Sequence, residues 1–149
     1  MTLRLVGPPR GGGLPAIDTG RLRTRARGIL RALGHARSEL SVALVDDAEM
    51  RELNGVWRGK PRATDVLAFS MLEGEGAEHR GRLLGDVVIS VETARRQARA
   101  RHRALDEEVT RLLIHGTLHL LGFDHVRAAD ARAMRTEERR LFSAVRDDG

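Results

Sequence analysis

Apolar and polar positions alternate with two periods along the chain, which predict strands and helices in one domain covering residues 1–149. The predicted strands are short apolar or alternating runs at 3–6, 38–46, 65–70 and 83–90. The predicted helices have apolar residues on one face and lie at 19–33, after Asp46 or Asp47, and at 91–103, 105–122 and 128–146. Polar segments at 8–15 and 73–82 predict loops. The pattern is typical of an α+β fold, a small mixed β-sheet with helices packed over it.

The clearest predicted helix is LDEEVTRLLIHGTLHLLG, residues 105–122, with Asp106 as its predicted N-cap. On a helical wheel, apolar residues cover most of its circumference and leave one narrow polar stripe, which is typical of a buried helix. His115 and His119 lie on that stripe, one turn apart. Thr117 faces away from the stripe and is expected in the core. The sequence therefore predicts a central, buried helix that carries two imidazoles.

A third histidine follows in HGTLHLLGFDH, residues 115–125. Gly122 can adopt the left-handed conformation that ends a helix and reverses the chain, which would bring His125 back to the stripe. The spacing HxxxHxxGxxH holds a catalytic zinc in metzincin proteases. Each buried imidazole without a hydrogen-bond partner would lower the stability of the fold by about 1–3 kcal/mol. A shared metal ion, or a separate carbonyl partner for each ring, would remove this cost. We favour a metal site formed by His115, His119 and His125.

The donor set narrows the choice of metal. The chain has no cysteine, which excludes thiolate ligands and disulfides. Three imidazoles suit Zn²⁺ best, although other first-row divalent ions also accept them. Structural zinc sites are usually closed by four protein ligands, whereas three ligands leave one position for water, whose pKa zinc lowers to about 7. We therefore expect one Zn²⁺ ion per chain and metal-assisted hydrolysis.

Position 116 argues against peptide hydrolysis. Zincin proteases have the motif HExxH, in which the glutamate accepts a proton from the activated water. Here the corresponding residue is Gly116, so the standard general base is missing. A hydrolase with an unrelated substrate, including a degenerate protease, is therefore the least favoured hypothesis for the function.

Charge and hydropathy affect the choice of partner and compartment. The formal net charge is +5, and all but one of the 26 basic residues are arginine. Arginine binds phosphate through two parallel hydrogen bonds, which favours a polyanionic partner, although a general bias toward arginine codons would give the same composition. No apolar run approaches the roughly 18–20 residues of a membrane span, and the N-terminus has no apolar core of a secretory signal. We expect a cytoplasmic protein without membrane association.

The three-histidine motif resembles the signature of the YbeY family, bacterial metal-dependent endoribonucleases that act in rRNA maturation. Two upstream segments are similar to that family in the family's order, LNGVWRGKPRATDVLAFS (53–70) and LLGDVVIS (83–90). The resemblance covers about residues 40–126. It departs from the family at Pro61-Arg62-Ala63, where many relatives have proline directly before the threonine, and at Ala68, where serine is common.

The resemblance implies a single-strand-specific endoribonuclease that acts on the 3′ end of 16S rRNA and on defective ribosomes. It implies that the three histidines carry the zinc and that Arg58 is the catalytic arginine, which would stabilise negative charge on the phosphate. The partners would be single-stranded rRNA and the ribosome or its small subunit. The alternative is a non-catalytic ribosome-assembly factor with a structural metal. No general base is evident, so attack by the RNA 2′-OH and attack by activated water both remain open.

RNA contacts are expected mainly from arginine, because the chain has one Trp, three Phe and no Tyr for base stacking. The candidates lie in the basic loop after position 56 and in ARRQARARHR, residues 94–103: Trp57, Lys60, Arg62, Arg95, Arg96 and Arg99. A solvated helix face is the alternative for each arginine. Because phosphate contacts would dominate, we expect weak sequence preference and strong salt dependence.

Smaller predictions concern the remaining acids and histidines. Asp124 either orients a ligand histidine or accepts a hydrogen bond within a turn. Asp86, on a predicted strand, is expected to be structural. The other three histidines, His35, His79 and His102, are expected to face solvent.

Overall fold

The computed structural model describes residues 2–5, 16–71 and 82–148. The elements in chain order are β1 (Thr2–Leu5), α1 (Thr19–Ala32), β2 (Glu39–Val45), α2 (Asp47–Arg58), β3 (Val66–Ser70), β4 (Leu83–Ser90), α3 (Val91–Ala100), α4 (Leu105–Leu120) and α5 (Ala128–Val145). Each predicted strand and helix is therefore present within a few residues of its expected bounds. The predicted loop at 8–15, the predicted turn at 73–82 except its last residue, and His79 lie outside the described residues.

The sheet is mixed, as predicted, with strand order β1-β2-β4-β3. β2 pairs in parallel with β1 and with β4, whereas β3 pairs with β4 in the antiparallel direction. β4 is a central strand, which explains why its apolar run is nearly unbroken. Successive residues of the strands face opposite sides: Val87 and Ile89 belong to the larger core cluster, and Val88 belongs to the smaller one.

The larger core lies between one face of the sheet and the helices α1, α4 and α5. Helix α4 contacts β3 and β4 on one side and α1, α3 and α5 around the rest of its surface. Its apolar residues Leu113, Leu118 and Leu120 are at most 1% exposed, and Thr117 is fully buried, with its hydroxyl donating to the Leu113 carbonyl. This confirms the prediction of a central buried helix and explains its nearly all-round hydrophobicity.

Some local predictions were wrong. Ala104, not Asp106, precedes the first turn of α4, and Asp106 lies in that turn, where its carboxylate is 3.1 Å from Arg21 Nη1. Arg58 belongs to the last turn of α2 and not to a loop. His35 is half-buried, with Nδ1 3.2 Å from Ser38 Oγ, whereas His102 is exposed as expected.

No helix among the described residues has the length and apolar character needed to cross a membrane.

Candidate metal centre

Helix α4 places two of the three predicted ligands side by side. His115 and His119 are one turn apart, and their rings are half-buried with centroids 4.6 Å apart. Their Nε2 atoms face each other at 3.1 Å. In the neutral form, each of these atoms can present a lone pair toward the space between α4 and the chain that follows it.

The end of α4 brings the third histidine back to the other two. Gly122 has a φ of +95°, the left-handed region predicted for this position, and the Gly122 and Phe123 amides donate to carbonyls of the last helical turn. The His125 ring lies 5.5 Å from that of His119 and 6.1 Å from that of His115, measured between centroids. One ligand atom from each histidine lies within 4.8 Å of the others. The three side chains can therefore hold a metal ion, and this convergence confirms the geometry that the spacing predicted.

The surroundings of His119 favour its neutral form. Burial lowers the pKa of His119, and the neighbouring His115 and His125 lower it further, outweighing the opposite effects of Glu138 and of a hydrogen bond to the Phe123 backbone. A neutral imidazole keeps the lone pair that a metal ion needs. Three imidazoles without thiolate are a donor set that fits a divalent first-row ion.

A glutamate that the sequence analysis missed also contacts the cluster. Glu138, on α5, has its Oε2 3.3 Å from Nδ1 of His115, across 23 residues of sequence. Neither spacing nor an obvious motif connects the two residues, because only the docking of α5 onto α4 brings them together. A weaker signal exists: Glu138 is a charged residue on the same helical face as Met134, Leu141 and Val145, which are all buried.

A cleft of about 720 Å³ opens beside the cluster. Its lining residues come from α2, the segment after it, β3 and α4: Asn54, Arg58, Lys60, Arg62, Thr64, Val66, Leu67, Ala68, Phe69, Ser70, Gly116 and His119. His119 is thus the ligand that faces this cleft. Three of the basic residues predicted to contact RNA, Arg58, Lys60 and Arg62, line the same cleft, which the sequence alone could not establish.

The basic segment of the cleft has a defined backbone. Gly59 ends α2 with a φ of +68°, and the next amide, that of Lys60, donates to the Asn54 carbonyl. The buried Asn54 side chain donates through Nδ2 to the Arg62 carbonyl at 2.9 Å. Lys60 and Arg62 are therefore held at the cleft by the end of α2, and Pro61 between them does not displace Arg62 from the lining.

Arg58 also lines the cleft, where it is anchored to β3. Its Nη2 donates to the Ala68 carbonyl at 2.7 Å, and its guanidinium lies 5.1 Å from the centroid of the Phe69 ring. A guanidinium has five N–H groups, and this hydrogen bond uses one of them. The contacts fix the plane of Arg58 beside β3 while its side chain stays exposed to the cleft.

Comparison with known proteins identifies the family. The family model described as endoribonuclease YbeY matches residues 16–146. The chain belongs to the YbeY family. This confirms the resemblance seen in the sequence motifs and assigns the chain to a family of RNA-cleaving hydrolases.

Individual relatives agree with this assignment. An endoribonuclease YbeY from Anaeromyxobacter sp. (strain Fw109-5) is 52% identical over 97% of this chain and 72% of its own length. The endoribonuclease YbeY of Geobacter sulfurreducens is 43% identical over 89% of this chain and 90% of its own length. Among solved structures, the solution structure of TM1509 from Thermotoga maritima is similar to this chain with a TM-score of 0.64 and 23% identity, over 97% of this chain and 89% of that one. At that identity the likeness supports the fold alone.

The remaining predicted site residues of this YbeY-family chain lie outside the cleft. Trp57 is 66% exposed and makes an edge contact with Phe69, with centroids 6.1 Å apart. Arg95, Arg96 and Arg99 are exposed on α3, and none of them is among the described residues that line the cleft. Arg96 instead forms an ion pair with Asp47 at 2.7 Å.

Asp124 follows one of its two predicted alternatives. Its Oδ1 accepts a hydrogen bond from the Val126 amide at 3.1 Å, so it supports the turn that carries His125. Asp86 is partly buried on the central strand β4, where a structural role was expected.

The glycine after the first histidine is explained by packing in this YbeY-family chain. A Cβ atom at Gly116 would lie 2.7 Å from Val87 Cγ1 and 3.1 Å from Val66 Cγ2. Position 116 therefore faces the sheet, and glycine allows α4 to approach β3 and β4 closely. A glutamate here would meet the sheet, so the general base of zincin proteases has no room at this position.

We expect Gly116→Ala to destabilise the protein by about 1 kcal/mol. Alanine favours a helix over glycine by about 1 kcal/mol, but overpacking against the stiff, buried Val87 side chain costs roughly 1–3 kcal/mol. Chemical denaturation measures the free energy of unfolding. Gly55→Ala in α2 is the control, because its Cβ would lie 3.4 Å from Pro61 Cβ, and it should be neutral or stabilising. Equal stability of the Gly116→Ala variant and the parent would contradict this packing.

Proposed function

We propose that this chain is a zinc-dependent endoribonuclease that cleaves single-stranded ribosomal RNA, in maturation of the 3′ end of 16S rRNA and in ribosome quality control, in the cytoplasm. The observation that carries the proposal is one cleft lined both by His119 of the histidine cluster and by Arg58, Lys60 and Arg62. Phosphodiester cleavage needs a group that activates the attacking oxygen and cations that offset charge developing on the phosphate. The cleft brings both together.

His115, His119 and His125 would hold one Zn²⁺ ion. When bound there, the ion would supply Lewis-acid activation of a water or of a phosphate oxygen. The lowered pKa of His119, caused by burial and by the neighbouring histidines, favours the neutral ring that can offer a lone pair to the ion. Arg58 matches the arginine that the family resemblance implies is catalytic, and its guanidinium would bind the scissile phosphate and offset its charge.

The cleft suits an extended single strand better than a duplex. His119 is half-buried inside the cleft, so a phosphate must enter the cleft to approach the cluster. A single strand can bend and present one phosphate at a time, whereas an A-form helix is rigid and is contacted mostly over a broad surface. Lys60 and Arg62 would bind neighbouring phosphates, and Trp57 at the rim offers a ring on which a base can stack.

The proposal is tested by cleavage of single-stranded fragments of 16S rRNA, with the same sequences annealed into duplex as controls. We expect the single strands to be cut, cleavage to stop with a chelator and to resume with added Zn²⁺, and the duplexes to remain intact. Cleavage that persists in excess chelator would contradict a metal-dependent nuclease. Binding to the small ribosomal subunit without any cleavage would favour the assembly-factor alternative with a structural metal.

RNA affinity should depend strongly on salt through the cleft residues. For single strands, the slope of log K against log salt is about −0.7 for each phosphate that the protein neutralises. Lys60→Ala and Arg62→Ala should each make the slope shallower by about that amount and weaken binding equally for unrelated sequences. Fluorescence anisotropy over a salt series measures both quantities.

The control for the salt series is Arg27→Ala, which removes one exposed arginine from α1, outside the cleft. Its slope should equal that of the parent. If Arg27→Ala lowered the slope as much as Arg62→Ala, binding would depend on overall charge and the cleft would not be the RNA site.

A further inference from the structure

We propose that Glu138 is a positioning residue for the metal ligand His115, fixing the tautomer in which Nδ1 carries the proton and Nε2 offers its lone pair to the metal. The inference rests on the proposed metal site. A neutral imidazole has one N–H donor and one lone pair, so the partner of one nitrogen decides which form the other takes.

The two nitrogens of His115 have different partners. Nδ1 is 3.3 Å from the Glu138 carboxylate, and Nε2 is 3.1 Å from Nε2 of His119. A carboxylate accepts hydrogen bonds and cannot donate them, so it selects the tautomer protonated at Nδ1. His119 has its own support, a hydrogen bond to the backbone of Phe123. Each ligand on α4 thus has a partner outside the cluster, supplied for His119 by the main chain and for His115 by Glu138.

The position of Glu138 on α5 argues for a specific role. Met134, Leu141 and Val145 are at most 1% exposed and form the face by which α5 docks onto the core. Glu138 lies on that face, within about 40° of Met134 on a helical wheel at 100° per residue. Its side chain is 32% exposed. A carboxylate on the face by which α5 packs is unfavourable for packing. Its presence there indicates a role other than packing.

The three arginines near Glu138 are paired with other acids. Glu138 and His115 line a small cavity of about 280 Å³ together with three arginines. Arg111 pairs with Glu107 at 3.1 Å and lies over the Phe142 ring. Arg101 and Arg103 both pair with the buried Glu108, at 2.8 and 3.3 Å. Each of these arginines thus contacts another acid, whereas the Glu138 carboxylate contacts Nδ1 of His115.

The test compares the Zn²⁺ affinity of variants, measured by competition with a chromophoric chelator. Glu138→Ala should weaken affinity about 10- to 100-fold, the range for loss of a group that orients a metal-bound histidine. Glu138→Gln should lose less than about tenfold, because its amide oxygen accepts the same hydrogen bond. Glu137→Ala is the matched control on the same helix, since Glu137 pairs with Arg140 at the surface, and its affinity should be unchanged.

Two further measurements separate positioning from folding. Glu138→Leu completes the apolar face of α5, so it should unfold at the same or a higher temperature than the parent while binding Zn²⁺ as weakly as Glu138→Ala. Long-range ¹H–¹⁵N NMR spectra of the metal-free protein at alkaline pH report the tautomer. His115 should carry its proton on Nδ1 in the parent and in Glu138→Gln, but not uniformly in Glu138→Leu.

The outcomes distinguish this inference from the proposed function. Parent-like Zn²⁺ affinity in Glu138→Ala and Glu138→Leu would overturn the role of Glu138 and leave the nuclease proposal intact. A parent protein that binds no Zn²⁺ would contradict the zinc site itself, and the tautomer spectra would still decide whether Glu138 orients His115. An unchanged His115 tautomer in Glu138→Leu would overturn the inference directly.

Discussion

His119→Ala is expected to abolish RNA cleavage while leaving the fold intact. The substitution removes one of three nitrogen donors and the only ligand of the cluster among the described residues lining the cleft. Loss of a ligand must exceed the roughly 10- to 100-fold effect of losing an outer partner, so Zn²⁺ affinity should fall by more than about 100-fold. Cleavage at a fixed, low Zn²⁺ concentration should fall with it.

The metal-free fold should tolerate this change. His119 is half-buried, and its lowered pKa shows that it is held as the neutral ring, so alanine leaves no buried charge unpaired. Alanine also favours the helix. We expect the free energies of unfolding of chelated parent and variant to agree within about 1 kcal/mol. Added Zn²⁺ should stabilise only the parent, by about 2.7 kcal/mol at a concentration 100 times Kd.

His35→Ala is the control for His119→Ala, because it removes a histidine that lies outside the cluster, beside Ser38. Its Zn²⁺ affinity and cleavage rate should match those of the parent. Wild-type cleavage by His119→Ala, with Zn²⁺ still bound, would show that the reaction does not use this cluster.

The three-histidine cluster was predictable from sequence because its geometry is local. Two ligands one turn apart share a helix face whatever the tertiary structure, and Gly122 reverses the chain within three residues of His125. The burial of α4 was predictable for a related reason, since an apolar surface around most of a helix requires neighbours on all sides. The nearly unbroken apolar run of β4 fits its place inside the sheet for the same reason.

The surroundings of the cluster were not predictable, because they depend on the docking of distant elements. Glu138 lies close to His115 only after α5 packs onto α4, and Arg58 and His119 line one cleft only after α2, β3 and α4 pack together. The sequence showed that Gly116 removes a general base. It did not show that a side chain at position 116 would collide with Val87 and Val66.

The two histidines of α4 therefore have different surroundings. His119 faces the large cleft with the basic residues, and His115 faces the small cavity with Glu138. Gly116 lies between them and brings the helix close to the sheet. This arrangement separates the side on which RNA would enter from the side on which the protein orients a ligand. Substitution of Arg58 in the cleft should accordingly impair cleavage without changing Zn²⁺ affinity, whereas substitution of Glu138 should weaken Zn²⁺ affinity.

Arg58→Ala is expected to lower kcat for RNA cleavage about 100- to 1000-fold without changing Zn²⁺ affinity, the range for removing one donor that stabilises developing charge. The kcat of Arg58→Lys should exceed that of Arg58→Ala by less than about tenfold. A lysine keeps the charge but cannot at once donate to the Ala68 carbonyl, lie flat beside Phe69 and present two parallel N–H groups to a phosphate. Single-turnover kinetics with saturating RNA isolates the cleavage step.

Arg62→Ala is the matched control for Arg58→Ala, because Arg62 lines the same cleft and carries the same charge. If Arg62 only binds the RNA backbone, its loss should raise KM and leave kcat nearly unchanged, since the interaction is equally strong in the ground state and the transition state. A residue that offsets charge developing at the reacting phosphate must affect kcat instead. Wild-type kcat with a raised KM in Arg58→Ala would therefore make Arg58 a binding residue and leave the transition-state charge to the metal alone.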